Sequence, residues 1–437
     1  MSNVLPYDAI PFVELPPDYQ HRLAPLLAQA YQQHGPIFRA MYLDSEIVFL
    51  VGPEANRFVL VSNRQKFSHF VGWSNIFITT RVLGRGLLSM DGEEHDRYRK
   101  MMNPAFTASY MDRYLPLMNR VIRERAQRWS EAGEVRLYSE VRQITFAIAA
   151  QALTGLKEGD EVECFRTLFL NLVGLPVTAT SEEDFDTRLE RLQRELSVLL
   201  SPKIEERRKQ PTDDIFGMLV QARDEHGHVM SDEQLIAHIN ILLVAGHETS
   251  TSLITWLFYL LNQHPDYARR VLQEQETVLG SRSEPTLEDL KRMKVLENAL
   301  SEAERLYPPV ANGPRGVVED FEFHGYHVPA GAMAFYSIIG SHMIPSIFAN
   351  PEVFDPDRFA LPREEDRKHP YALVGFGGGP RICIGMHFAQ IEIKAMVSHV
   401  LRNYTLEPVP GQDIHQFYSA VGWPAEGVRM RVSDKSL

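Results

Sequence analysis

The stretch Phe376-Gly377-Gly378-Gly379-Pro380-Arg381-Ile382-Cys383-Ile384-Gly385 holds the most reactive side chain of this 437-residue chain in the least regular backbone. Its glycines and proline exclude helix or strand before Cys383 and let backbone approach a ligand closely, while a helical apolar pattern runs from Met386 to about Leu401. Phosphate binding is excluded, because Pro380 and Ile382 stand where a G-x-G-x-x-G or Walker spacing from Gly375, Gly377 and Gly379 would require glycine. Two readings of Cys383 remain, a buried structural thiol and a thiolate that ligates a metal.

Three other groups pair residue types at chemically useful spacings. Ser231-Asp232-Glu233-Gln234 has the form of a capping box, and the helix it opens can run to about His264, roughly 50 Å at 1.5 Å per residue. Apolar on both sides of its centre, it is broken by Ala245-Gly246-His247-Glu248-Thr249-Ser250. Polar groups in a buried helix are costly unless paired or used. Either Thr249 bonds its own i−4 carbonyl with Glu248 in a structural ion pair, or the two take part in chemistry. In Asp91-Gly92-Glu93-Glu94-His95-Asp96-Arg97-Tyr98-Arg99, His95 and Arg99 fall at i and i+4 on one helix face and point two donors the same way. Glu302 and Arg305 lie one turn apart in a helix that ends at Pro308-Pro309.

Read as Phe-x-x-Gly-x-Arg-x-Cys-x-Gly, the positions Phe376, Gly379, Arg381, Cys383 and Gly385 resemble the haem-binding loop of the cytochrome P-450 family. The resemblance extends from about Gly35 to the C-terminus. It implies the cytochrome P-450 fold, mainly α with small β-sheets, and heme b (iron protoporphyrin IX) as cofactor. Cys383 is then the axial thiolate, which pushes electron density onto iron and favours O–O cleavage. The Phe376 ring and the backbone at Ile384 and Gly385 would wall the sulfur, and Arg381 would face a haem propionate. His95 and Arg99 resemble the family's His-x-x-x-Arg propionate pair, and Arg315 in Gly313-Pro314-Arg315-Gly316 is a further propionate candidate. Ala245 to Thr249 resembles the Ala/Gly-Gly-x-Asp/Glu-Thr element. There Ala245 and Gly246 lie beside the haem, Gly246 lets the helix open, Thr249 handles the oxygen, and Glu248 passes protons in through water. Glu302 and Arg305 resemble the Glu-x-x-Arg element, which would join Arg358 of Phe354-Asp355-Pro356-Asp357-Arg358-Phe359 in a structural ion network. Ser341-His342-Met343-Ile344 departs from the family's usual His/Asn-Arg-Asp, so the salt bridge that pattern implies is not expected.

The implied activity is a haem-thiolate monooxygenase that inserts one atom of O2 into a hydrophobic substrate, lipid, terpenoid, steroid or retinoid-like. A peroxygenase using hydrogen peroxide, and a haem-binding sensor or carrier without turnover, are the alternatives; Glu248-Thr249 argues against the first, since proton delivery matters chiefly when O2 is the oxidant. The chain shows no flavin or nicotinamide fingerprint and has only two cysteines, where an iron–sulfur cluster needs about four. Electrons are therefore expected from an external ferredoxin or flavodoxin with its reductase, docking on a basic patch of Arg97, Lys100, Arg381 and Lys394.

The elements that must carry these residues read as mostly helical. Asp18–His34 reads as a helix stopped by Gly35-Pro36, and Phe38–Tyr42 with Glu46–Val51 as a strand pair. Phe67 to Leu88 reads as an irregular apolar pocket wall interrupted by glycines. Helical patterns follow over Thr107–Trp129, Tyr138–Leu153, Glu158–Leu172 and Asp184–Arg208, with a lid expected between the last two. No linker, repeat or low-complexity run divides the chain, so 1–437 is expected to form one catalytic domain with small β-rich parts near 36–52 and 315–340. Forty-four per cent hydrophobic against 23 per cent charged residues can bury a sizeable core, and a formal charge of -12 argues against a general nucleic-acid binder. Cys164 and Cys383 form no framework of pairs, which fits a reducing compartment. With no basic n-region before an apolar core in Met1 to Pro36, and no 18-residue apolar run, the expectation is a cytoplasmic monomer without a membrane span.

Overall fold

The computed structural model describes residues 4–77, 79–156, 159–174, 184–212 and 214–435. At the start of the long central helix, the Ser231 hydroxyl accepts the Gln234 N–H at 3.2 Å and the Gln234 side chain accepts the Ser231 N–H at 2.9 Å. This reciprocal cap satisfies two of the orphan donors at the helix start. From it, Asp232–Gln263 runs unbroken for 32 residues. Most of this helix is buried, because its flanks Leu235–Leu243 and Ser250–Leu261 are covered by the helices Leu137–Thr154, Lys294–Leu306 and Met386–Asn403. Against Leu137–Thr154, the Thr145 and Thr251 hydroxyls meet at 2.7 Å, so even the polar atoms of that contact are matched.

The strands Ile37–Tyr42 and Ser45–Val51 pair antiparallel through a turn with Leu43 and Asp44 at positive φ. Ser45–Val51 then pairs parallel with Met333–Ser337, which pairs antiparallel with Asn312–Val317. The two β-rich stretches expected from sequence thus lie in one sheet of six strands. Every residue of Asn312–Val317 is buried, and that strand carries Arg315.

Two elements differ from expectation. The helix predicted from Asp18 begins at Leu23, after a separate turn at Tyr19–His21. Tyr19 is drawn to the strand pair instead, its ring 5.2 Å from Tyr42 and its hydroxyl accepting the Leu43 N–H. Phe67 to Leu88 is largely helical, with helices at His69–Phe77 and Thr79–Leu83. Its glycine at 72 permits close packing: a Cβ there would stand 2.5 Å from the Pro314 carbonyl oxygen. The stretch does wall the cavity described below. The expected lid at 175–183 lies outside the described residues.

Behind the cysteine loop lies a network of buried charge. Glu302 holds Arg305 at 2.8 Å through both oxygens and Arg358 at 3.1 Å, and it also accepts the Asp355 N–H. Arg358 reaches Glu365 at 2.7 Å, while Arg305 donates to the carbonyls of His342 and Pro351. Where no salt bridge is expected, His342 is a neutral link. The Val374 N–H donates to its Nε2 and its Nδ1 donates to the Arg305 carbonyl, and burial pushes its pKa down to about 3. Glu302→Ala leaves buried Arg305 with no carboxylate and Arg358 with Glu365 alone, and such a loss costs about 3–5 kcal/mol. The variant should give little folded protein, and a melting temperature equal to the parent's would show the network to be dispensable.

Candidate active site

Cys383 sits in a loop that closes on itself. Gly377 and Gly379 take φ of 75° and 61°, which side chains resist, and a Cβ on Gly379 would stand 2.7 Å from the Leu60 carbonyl oxygen. The loop is pinned where the Cys383 N–H donates to the Phe376 carbonyl at 2.9 Å. The helix Met386–Asn403 starts three residues later, with Gly385 at its N-cap. Cys383 has accessible surface, yet that surface opens into a cavity rather than onto the outside of the molecule. Burial there raises the thiol pKa; the Gly385 N–H and Arg99 oppose the rise, and Glu304 adds to it.

The cavity is apolar over most of its wall, with Trp73, Leu87, Leu88, Leu242, Val310 and Ile338 among its lining residues. The long helix contributes Ala245, Gly246 and Thr249, and Ala245 is exposed to the cavity within a helix that is otherwise buried. A Cβ on Gly246 would meet nothing within 4 Å, so this glycine leaves free space over the helix. The opening of the helix expected at Gly246 is not seen. Thr249 donates its hydroxyl to the Ala245 carbonyl at 2.5 Å.

Basic side chains gather along the same cavity: His69, His95, Arg99, Arg315 and Arg381. Arg315 is 3% exposed, and its guanidinium donates to the Pro314 carbonyl at 2.8 Å and lies over the Tyr336 ring. Among the described residues no carboxylate lies within salt-bridge distance of it. Burial lowers its pKa. Arg381 donates to the Leu87 and Met90 carbonyls with Asp91 at 3.5 Å; burial and then Arg315 bring its pKa down to about 10. Burial and Arg381 push His95 to about 4, despite Asp96 at 2.9 Å. His69 is lowered further by burial and by Arg315, Arg381 and His95 together, and its Nδ1 has no hydrogen-bond partner. Arg99 is occupied differently: it donates to Asn103 and, at 2.7 Å, to the Ile382 carbonyl, so it holds the cysteine loop from below. Basic groups crowded in a buried space call for an anion, and among the described residues the protein supplies none within salt-bridge distance of Arg315.

Glu248 stands outside this space. Its carboxylate is 2.8 Å from Arg142 Nε, 3.0 Å from His247 Nε2 and 3.2 Å from the Tyr138 hydroxyl, and it does not line the cavity. Burial opposes its charge, but His247 and Arg142 outweigh that and hold its pKa down to about 2. The structural reading of both polar residues, an i−4 hydrogen bond and an ion pair, describes this arrangement. The expected basic patch also fails as one surface. Lys394 is buried, bonded to Glu297 at 2.8 Å and to the Leu290 carbonyl, and Arg97 and Lys100 face Asp224 and Glu225.

Residues 6–432 match the model of the family described as Cytochrome P450. The chain belongs to the cytochrome P450 family. It is 33% identical to putative cytochrome P450 120 of Synechocystis sp. over 92% of this chain and 90% of that one. It is 28% identical to the sterol 14alpha-demethylase of Mycolicibacterium vanbaalenii over 90% and 88% of the two chains. The structure of retinoic acid-bound cyanobacterial CYP120A1 superposes with a TM-score of 0.82 at 32% identity over 93% of each chain. The P450DA heme domain superposes at 0.84 with 21% identity and shows the same fold.

As a member of this family the chain is a haem-thiolate monooxygenase, and its cavity fits protoporphyrin IX haem. One thiol faces a broad apolar space, and Arg315, which has no carboxylate partner among the described residues, with Arg381 and the orphaned His69 Nδ1, suits the two propionates. His69 was not singled out in the sequence, since nothing about a lone histidine before an apolar run announces it. Replacing Arg315 separates the two states of the protein. Arg315→Leu should leave the apo-protein's melting temperature equal or higher, because it removes an unpaired buried charge. Haem affinity should fall about 10–100-fold, the equivalent of ~1.5–3 kcal/mol for a hydrogen bond to a charged group. A destabilised apo-protein with unchanged haem affinity would assign Arg315 to the fold alone.

Proposed function

We propose that Cys383 holds the haem iron through its thiolate, that Arg315, Arg381, His95 and His69 bind the propionates, and that the enzyme hydroxylates or epoxidises an apolar, retinoid- or terpenoid-like substrate. The observation that carries this is the meeting of one thiol, a set of basic side chains and Thr249 on one apolar cavity. Bound there, haem supplies the activation of O2. The protein's own part is to exclude water, orient the substrate against the long helix and move protons.

Phe376, Ala245 and Gly385 line the same cavity, so the first walls the sulfur, the second lies against the haem, and the third leaves room beside the thiolate. A Cβ on Gly385 would come to 4.0 Å from Sγ. Thr249 is the hydroxyl placed to pass a proton to bound oxygen, once it turns from the Ala245 carbonyl. Glu248 can serve only by leaving Arg142 and His247. Held down to about 2 by those partners it stays ionised at neutral pH, so it can carry a proton only after leaving them and taking one up from water. The apolar lining favours a substrate with little charge, and the retinoic acid held by the cyanobacterial relative gives the first class to test. Electron supply by a separate ferredoxin or flavodoxin is supported by the two cysteines and the lack of a flavin or nicotinamide fingerprint in the sequence.

Cys383→Ser should lose haem or bind it without the red-shifted carbon monoxide band of a thiolate ligand; an unchanged band would remove Cys383 from the site. Thr249→Ala should keep haem and substrate binding while product per electron pair falls on the order of 10²-fold and peroxide accumulates. Fully coupled turnover in that variant would end the role given to Thr249. Retinoic acid should displace water from the ferric haem. Failure of retinoid, terpenoid and steroid compounds alike to do so would redirect the search for substrate. Product formed with peroxide but not with a reducing system would favour the peroxygenase.

A further inference from the structure

Glu304 lies between the residues of the Glu302–Arg305 network but takes no part in it. It is 7% exposed, lines the cavity on the side of the cysteine loop, and among the described residues has no cation within salt-bridge distance. Instead its carboxyl packs against the backbone at Gly375, and the N–H groups of Gly375 and Phe376 favour its charged form against the effect of burial. The carbonyl of that same Phe376 accepts the Cys383 N–H at 2.9 Å. One residue therefore separates the carboxyl from the ligand cysteine. Glycine at 375 permits the approach, since a Cβ there would stand 2.3 Å from Glu304 Oε1.

Resting on the assignment of Cys383 as iron ligand, we propose that Glu304 is a positioning residue: its side-chain oxygen anchors the Gly375 and Phe376 amides and, through Phe376, fixes the cysteine loop in the form that keeps sulfur on iron as thiolate. A residue needed only for packing at this place would be apolar. The carboxyl is the acceptor nearest the Gly375 and Phe376 N–H groups, for which no backbone acceptor is found among the described residues. Burial pushes its pKa up to about 8, so at neutral pH it is mostly the uncharged acid, which accepts through its carbonyl oxygen, and only its ionised form adds to the rise in the thiol pKa. Partners of this kind typically change metal affinity 10–100-fold when removed.

The test uses the haem-loaded protein with Glu304→Gln, Glu304→Leu and Gly375→Ala. It measures haem dissociation, the midpoint potential and the fraction of the ferrous carbon monoxide complex that keeps the thiolate-type band. Glutamine retains an oxygen acceptor and should behave as the parent. Leucine should lose haem about 10–100-fold faster, shift the potential and convert to the band of a protonated or lost thiolate. Gly375→Ala has no positive φ to strain and drives a methyl group into the carboxyl, so it should reproduce the leucine spectrum with Glu304 itself intact. It decides the matter if the leucine variant does not fold. Thiolate bands and potentials unchanged in Glu304→Leu or in Gly375→Ala overturn the proposal, as does a glutamine variant no better than leucine. Absence of the thiolate band from the parent protein would instead overturn the Cys383 assignment on which it rests.

Discussion

Repulsion among buried cations is the constraint around which the rest of this structure is arranged. Arg315 depresses Arg381, and both depress His69. A folded protein tolerates this only if the cost is met elsewhere or removed by a ligand. These basic groups are carried by separate rigid elements: Arg315 by a buried strand, Arg381 by the cysteine loop, His95 and Arg99 by the helix Gly92–Met102, and His69 by the helix His69–Phe77. None can swing away to solvent without disturbing its element. The same placement that makes the apo-protein strained makes it ready for a dianionic group.

The interior glutamates show the opposite problem solved in two ways. Glu302 and Glu248 each face two basic partners, so removing one partner leaves the carboxylate with a single partner in a buried place. Glu304 and Glu392 face no cation and burial pushes each up to about 8, which makes them mostly neutral acids at pH 7. The difference tracks position. The paired glutamates brace helices against each other, whereas Glu304 serves backbone donors of the cysteine loop and Glu392 lies beside Ser250 on the cavity wall.

What could be read from the sequence was whatever depends on neighbours in the chain. The capping box at Ser231, the turn glycines at Gly377 and Gly379 and the i, i+4 pairing of His95 with Arg99 are local, and the elements they imply are present. The helix His69–Phe77 was not legible because its cap is remote. Asp91 accepts the His69 and Phe70 N–H groups and the Ser68 hydroxyl from 21 to 23 residues away. Lys394 looked like surface charge for the same reason, its partner Glu297 being 97 residues distant. The orientation of Glu248 depended on Arg142 and Tyr138, which lie on another helix and leave no trace in the spacing around it.

Glu248 and Thr249 are consecutive, yet the helix turns them about 100° apart. One faces the Leu137–Thr154 helix and the other faces the cavity. The open space over Gly246 lies at the cavity end of that turn, where water can hydrogen-bond the Ala245 carbonyl if Thr249 releases it. Glu248 and the cavity therefore lie on different sides of the helix. Of its two basic partners, Arg142 is about a third exposed, whereas His247 is fixed by its bond to the Leu243 carbonyl at 2.7 Å. Burial that holds one partner and frees the other gives the carboxylate a single direction in which to open.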